Sequence, residues 1–157
     1  MATDGKIIGI ARREKSRAPM EEIDAARVTI EMGLEGDYRG RPGQRQFTIL
    51  RVEDWRAACA ELSLKLDWTT RRANLLVEGI DLPMEGGAIV RLGDCEVQIT
   101  GETDPCKRME EAQSGLFAAL DKDWRGGRIC RVLKSGHIEI GDGVELLGDG
   151  PGGDADG

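Results

Sequence analysis

Glycine interrupts this chain every few residues, since 22 of its 157 residues are glycine, about twice the usual share of roughly 7%. Between the glycines lie short runs rich in β-branched and aliphatic side chains, as at residues 6–11, 46–50 and 95–100. Because glycine readily adopts the backbone angles of tight turns, this pattern is typical of many short strands joined by turns. It predicts a β-rich α+β domain, and it favours a closed or nearly closed β-barrel because closure removes exposed strand edges.

The pattern of apolar residues and glycines also predicts the remaining strands and helices. Further strands are predicted at residues 26–30, 75–77, 88–92, 129–133, 137–140 and 144–147. Residues 93–94 and 135–136 are each predicted to be the turn of a hairpin. A helix is predicted over residues 53–66, because Trp55, Cys59, Leu62 and Leu66 form one apolar stripe. A second helical stretch is predicted from near Cys106 to residue 120.

The length predicts a single domain over residues 1–147, followed by a flexible tail at 148–157 that contains mainly Gly and Asp. A formal charge of −7 argues against general nucleic-acid binding. There is no apolar run long enough to cross a membrane and no secretory signal pattern at the start, so a cytoplasmic protein is expected. Its four cysteines are then expected to be free thiols.

The cysteines carry the most chemical information. None are paired as C-x-x-C and the sequence has one histidine, so zinc fingers, thioredoxin-type sites and histidine-assisted triads are disfavoured. Cys59 and Cys95 lie on apolar faces and are expected to be structural, as is Cys130. Cys106 instead follows Pro105 at the expected start of a helix, where backbone N–H groups and basic neighbours favour a thiolate. The alternative is a surface cysteine with incidental basic neighbours.

Arginine is the second clue, because sixteen of the 22 basic residues are arginines. Guanidinium groups bind phosphate and carboxylate in bidentate fashion. Arg71 and Arg72 precede a strand, and Arg39, Arg41 and Arg45 surround a glycine-rich loop. They are predicted to form an anion pocket if they converge on Cys106, and otherwise to be solvated surface residues.

Several segments, taken in order, resemble the MOSC domain, named for the carboxy-terminal domain of molybdenum cofactor sulfurase. These segments are residues 33–37 (GLEGD), 45–46 (RQ), 72–75 (RANL), 78–82 (EGIDL), 103–108 (TDPCKR) and 141–142 (GD). The chain is identified as a small, stand-alone, bacterial-type member. The resemblance implies a MOSC-type barrel with a few peripheral helices.

The resemblance also implies a function. Cys106 would carry persulfide sulfur or ligate molybdenum, and the molybdenum cofactor (molybdopterin) would be held by Arg72, Asn74, Thr103, Arg45 and Asp37. A pyridoxal-phosphate cysteine desulfurase and a molybdoenzyme are the implied partners. Two alternatives stay open, namely a small molybdenum-dependent oxidoreductase that reduces N-hydroxylated compounds, and a noncatalytic interaction domain.

Overall fold

The computed structural model describes residues 3–38 and 40–149 and contains a closed barrel of seven strands, with β2 attached to its outside. The predicted β-rich α+β barrel is therefore confirmed. The strands are β1 (Asp4–Arg12), β2 (Glu21–Glu22), β3 (Ala25–Thr29), β4 (Gly33–Leu34), β5 (Phe47–Arg51), β6 (Leu75–Glu78), β7 (Ala88–Leu92), β8 (Cys95–Glu102), β9 (Arg128–Lys134), β10 (Gly136–Glu139) and β11 (Gly143–Asp149).

The barrel follows the order β11-β7-β8-β9-β5-β6-β1, and pairing of β1 with β11 closes the ring. Most pairs are antiparallel, but β5 and β6 run parallel. A parallel pair needs a long crossover, and residues 52–74 supply it on the outside of the barrel. This crossover carries the segment that leads into the arginines at 71 and 72.

Strand alternation divides the apolar residues into two clusters. On β5, Ile49 points into the barrel while Leu50 joins an outer cluster beneath the helices. On β6, Leu75 and Val77 point inward while Leu76 points outward. The period of two along each strand therefore builds an interior core and a second, outer layer at once.

One predicted hairpin is confirmed and one is wrong. Leu92 faces Cys95 across the tight turn at residues 93–94, so β7 and β8 form the expected hairpin. The turn at 135–136 does not pair β9 with the next strand. Instead β10 pairs with β3 in a separate three-stranded sheet, and from there Ile138 packs into the main core cluster.

The first helix, α1 (Val52–Glu61), is shorter than the 53–66 expected from the apolar stripe. It ends where Ser63 adopts a positive φ of 54°. Trp55 and Cys59 are buried, and Leu62 and Leu66 pack against the same outer cluster from the segment beyond the helix. The stripe faces the barrel as expected, although its second half is not helical.

The second helical stretch is two short helices, α2 (Lys107–Ala112) and α3 (Leu116–Leu120). They are separated at Gly115, whose φ of 88° is available to glycine at little cost. Thr103 and Asp104 do not cap α2, because its N-cap residue is Cys106 and no side chain caps it. A short 3₁₀ helix, Trp68–Arg71, precedes β6.

At the carboxyl end, β11 continues to Asp149, two residues past the predicted end of the domain at residue 147. The remainder of that predicted tail lies outside the described residues. Among the residues that the structure describes, no helix is long and apolar enough to cross a membrane.

Candidate functional site

A cavity of about 260 Å³ opens where β1, β5 and the 3₁₀ helix meet the segment before α2. It brings together residues from five separate parts of the sequence. Its lining consists of Arg13, Ser16, Arg45, Thr48, Arg71, Arg72, Thr103, Asp104, Cys106, Arg108, Met109 and Ile129. Of the predicted site residues, Cys106, Arg72, Thr103 and Arg45 therefore share one pocket.

Cys106 is the exposed cysteine of this pocket. It occupies the N-cap position of α2 with extended backbone angles, and its neighbour Pro105 is buried. Cys59, Cys95 and Cys130 are buried. Burial raises the pKa of Cys95 to about 12, and burial raises the pKa of Cys130 further. Cys106 is thus the cysteine that a solute or a partner protein can reach.

Arg71 holds the segment that carries Cys106. Its guanidinium is buried and donates to the backbone carbonyls of Gly126 at 2.9 Å, Thr103 at 2.9 Å and Asp104 at 3.2 Å. Burial lowers the pKa of Arg71 to about 10, against the opposing influence of Cys106 and then of Asp104. These bonds fix the backbone two residues before the thiol.

Gly126 allows this close packing. A Cβ at Gly126 would come within 2.4 Å of the Thr103 carbonyl oxygen and 3.2 Å of Arg71 Nη2. A side chain there would push apart the contacts that hold the Cys106 segment. The glycine pair at 126–127 is therefore part of the site's framework.

Two buried polar atoms at the pocket have no hydrogen-bond partner among the described residues: Arg72 Nε and Thr103 Oγ1. Arg72 has a left-handed backbone, with φ 66° and ψ 33°, and its Nη2 donates to the Ala18 carbonyl. Burial lowers the pKa of Arg72, as do the neighbouring cations Arg13 and Arg108. Unpaired buried donors are uncommon in folded proteins, and these two border the cavity that contains Cys106.

Asn74 lies behind the pocket rather than on its surface. Its Oδ1 accepts from the Thr48 amide at 3.0 Å and from Thr48 Oγ1 at 3.1 Å. Its Nδ2 donates to the Ala11 carbonyl at 3.4 Å. The side chain joins β1, β5 and β6 and positions Thr48, which lines the cavity.

Asp37 and Arg45 relate to the pocket differently. Asp37 Oδ1 accepts from the Arg13 amide at 3.0 Å, so it supports a lining residue but is not itself part of the lining. Arg45 is exposed and borders both this cavity and a second one of about 520 Å³ formed by the loop at 41–45. The two cavities meet at Arg45 and Ile129.

The pocket is strongly basic although the chain is acidic. Among its described lining residues are five arginines, and Asp104 is the only acid. Guanidinium groups attract anionic ligands such as phosphate and carboxylate. The arrangement is suited to holding an anion beside a nucleophilic or metal-binding sulfur.

The sequence predicted Arg72 as a cofactor ligand, Arg71 as a possible member of an anion pocket and Arg108 as a cation near Cys106, but it did not predict Arg13 at this site. The adjacent arginines at 71 and 72 indicated an anion site in the sequence. Their different surroundings, however, depend on the left-handed backbone at Arg72. Arg13 reaches the pocket because β1 pairs antiparallel with β6, which brings the end of β1 beside the residues that precede β6. These contacts are set by the barrel and not by local sequence.

The sequence matches the MOSC domain over residues 27–145. No curated protein matches the chain. The structure is similar to that of the YuaD protein from Bacillus subtilis, with a TM-score of 0.76, 17% sequence identity, and coverage of 93% of this chain and 97% of that one.

Two further solved structures share the fold. YiiM from Escherichia coli has a TM-score of 0.67 and 19% identity, with coverage of 90% of this chain and 69% of its own. YiiM from Geobacillus stearothermophilus has a TM-score of 0.68 and 18% identity, with coverage of 95% of this chain and 76% of its own. At these identities the likeness describes the fold alone.

Proposed function

The chain belongs to the MOSC domain family, and from this membership we propose that it handles sulfur or the molybdenum cofactor, with Cys106 as its reactive group. In this proposal Cys106 carries a persulfide sulfur or ligates molybdenum. Arg72, Thr103 and Arg45 bind the anionic part of the ligand, while Asn74 and Asp37 position the residues that touch it.

One observation carries the proposal. The exposed thiol of Cys106 shares a cavity with five arginines, while the other three cysteines are buried. A structural cysteine needs neither access nor a basic surrounding. A thiol that exchanges sulfur or binds a soft metal needs access, and cations beside it hold the anionic part of a ligand.

The residues present fit a phosphorylated pterin. The buried donors Arg72 Nε and Thr103 Oγ1 have no partner among the described residues, and phosphate oxygens are acceptors that satisfy such donors in bidentate fashion. When bound, the cofactor would supply the redox chemistry of molybdenum. The chain would hold the phosphate with its arginines and offer Cys106 as a soft thiolate ligand.

The sulfur-carrier form involves a balanced exchange. The Cys106 thiolate attacks the outer sulfur of a persulfide on a donor protein, forming a new S–S bond at Cys106. The donor's S–S bond breaks, and the donor cysteine leaves as a thiolate. No external oxidant is needed, because the sulfane sulfur moves between two thiols. A pyridoxal-phosphate cysteine desulfurase is the class of donor that fits this step.

Persulfide loading in vitro tests this form of the proposal. The protein is incubated with cysteine and a pyridoxal-phosphate desulfurase, and the cysteine-containing peptides are examined by mass spectrometry. The wild type is expected to gain sulfur on the Cys106 peptide. Cys106→Ser is expected to gain none, and the matched variant Cys59→Ala is expected to load like the wild type because Cys59 lies outside the pocket. Loading on a buried cysteine, or equal loading of Cys106→Ser, would contradict the carrier role.

A further inference from the structure

A second cavity, of about 620 Å³, lies on the outside of the barrel between α1, the 3₁₀ helix and β6. We call it the outer groove. Its apolar walls are formed by Val52, Trp55, Leu64, Leu66, Trp68 and Leu76. Leu64 is 41% exposed, although it is a large aliphatic residue. Ligand pockets commonly have volumes of about 300–1,000 Å³ and apolar walls.

The tryptophans of the outer groove present only their rings to a ligand. Trp55 Nε1 donates to the Leu66 carbonyl at 2.9 Å, and Trp68 Nε1 donates to Glu22 Oε1 at 3.0 Å. Because both indole N–H groups are already satisfied, neither is available to hydrogen-bond a bound molecule. The walls therefore favour an aliphatic or aromatic body without polar groups along it.

The charged residues of the outer groove are of one sign. Arg56 and Lys65 line it, and no acidic residue is found among its described lining residues. In the described part of the chain, neither cation takes part in an ion pair. This is unusual in a chain whose net charge is −7. Two unpaired cations beside an apolar cavity are complementary to one anionic head group.

We propose that the outer groove is a binding site for a small amphipathic anion, such as a medium-chain carboxylate. The aliphatic body would lie against Trp55, Leu64 and Trp68, and the carboxylate would pair with Arg56 and Lys65. A second copy of the chain is a poorer occupant, because a twofold interface here would bring the same two cations towards each other. This site is separate from the Cys106 pocket and independent of the function proposed for it.

Titration with decanoate, followed by tryptophan fluorescence, tests the site. Two of the three tryptophans line the groove, so saturable binding should change the emission. Decanol, which has the same chain without the charge, is expected to bind at least about tenfold more weakly, because it cannot form charged hydrogen bonds with Arg56 and Lys65. Decyltrimethylammonium, with the opposite charge, is expected not to bind.

Variants test whether decanoate binds at the outer groove. Arg56→Glu/Lys65→Glu should weaken decanoate binding at least about tenfold by the same reasoning, and Leu64→Asp should also weaken it. The matched double variant Arg27→Glu/Lys134→Glu, which changes as much charge outside the groove, should bind like the wild type. So should Cys106→Ser. The proposal would be overturned if decanol bound as tightly as decanoate, or if Arg56→Glu/Lys65→Glu bound decanoate as tightly as the wild type. It would also be overturned if the protein bound no decanoate but self-associated in a way that Leu64→Asp abolished.

Discussion

At the scale of single residues, Arg71 and Arg72 are adjacent in sequence but have different surroundings. Arg71 is buried and donates to the backbone carbonyls of Thr103 and Asp104, just before Cys106, and to that of Gly126. Arg72 takes a left-handed backbone and leaves Nε without a partner among the described residues. The reversal of backbone direction at Arg72 separates the two side chains, so one holds the framework while the other is available to a ligand.

Arg71→Met should destabilise the protein. The change leaves the buried carbonyl oxygen of Gly126 without its donor and removes the bonds to the partly buried carbonyls of Thr103 and Asp104, which costs about 2 kcal/mol or more. Urea unfolding measures the loss. Arg56→Met, at an arginine without an ion pair in the described part of the chain, should stay within about 0.5 kcal/mol of the wild type. Equal stability of the two variants would show that Arg71 does not hold the Cys106 segment.

At the scale of elements, the break between α2 and α3 depends on Gly115. Its φ is 88°, and a Cβ there would come within 2.8 Å of Leu62 Cδ2, at the end of α1. The left-handed turn lets α3 fold back onto α1 and complete the outer cluster. The sequence predicts one helix here because the apolar spacing continues through the break.

Gly115→Ala should lower the melting temperature, because a left-handed backbone costs a residue with a Cβ about 1–2 kcal/mol and Leu62 must also shift. Gly101→Ala is the matched control, since a Cβ at Gly101 would meet its nearest neighbour, Ile129 Cδ1, at an ordinary 3.7 Å. The control should melt close to the wild type. A Gly115→Ala variant that melts no lower than the control would show that the turn tolerates a side chain.

The elements that sequence predicts well are those set by local contacts. The β7–β8 hairpin needs only its tight turn and the alternation of Cys95, Val97 and Ile99. The strand at residues 137–140 was also found, but its partner β3 lies more than a hundred residues away in sequence. Pairing across that distance is decided by the closed barrel and not by the residues next to the turn. The same reason explains why Arg13 was not predicted at the Cys106 pocket.

At the scale of the whole molecule, the barrel interior keeps two thiols out of water. Burial raises the pKa of Cys95 from its ordinary value of 9.0 to about 12, and burial raises the pKa of Cys130 in the same direction. The folded barrel therefore retains protons that the unfolded chain releases. Because the unfolded state then binds fewer protons than the folded state, the free energy of unfolding falls as pH rises.

Urea unfolding between pH 8 and pH 10 should show this loss, beginning near the ordinary thiol pKa of 9.0 and measured below the range in which Arg71, with its pKa lowered to about 10, acts in the opposite direction. Cys95→Ala should make the loss less steep, because one of the two thiols is removed. Val132→Ala, another substitution in the barrel interior, should lower stability while keeping the wild-type slope. A Cys95→Ala variant with an unchanged slope would show that this thiol is not protected by the fold.

Three features form the cavity around Cys106. Arg71 fixes the backbone before the thiol, Cys106 lies exposed at the N-cap of α2, and the closed barrel brings the arginines together. The most direct test is to purify the protein from its own host and measure sulfur on the Cys106 peptide together with bound molybdenum. The wild type should carry one or the other, and Cys106→Ser should carry neither while keeping its melting temperature. Wild-type protein that carries neither the persulfide nor molybdenum, or a serine variant that retains bound molybdenum, would contradict the proposal.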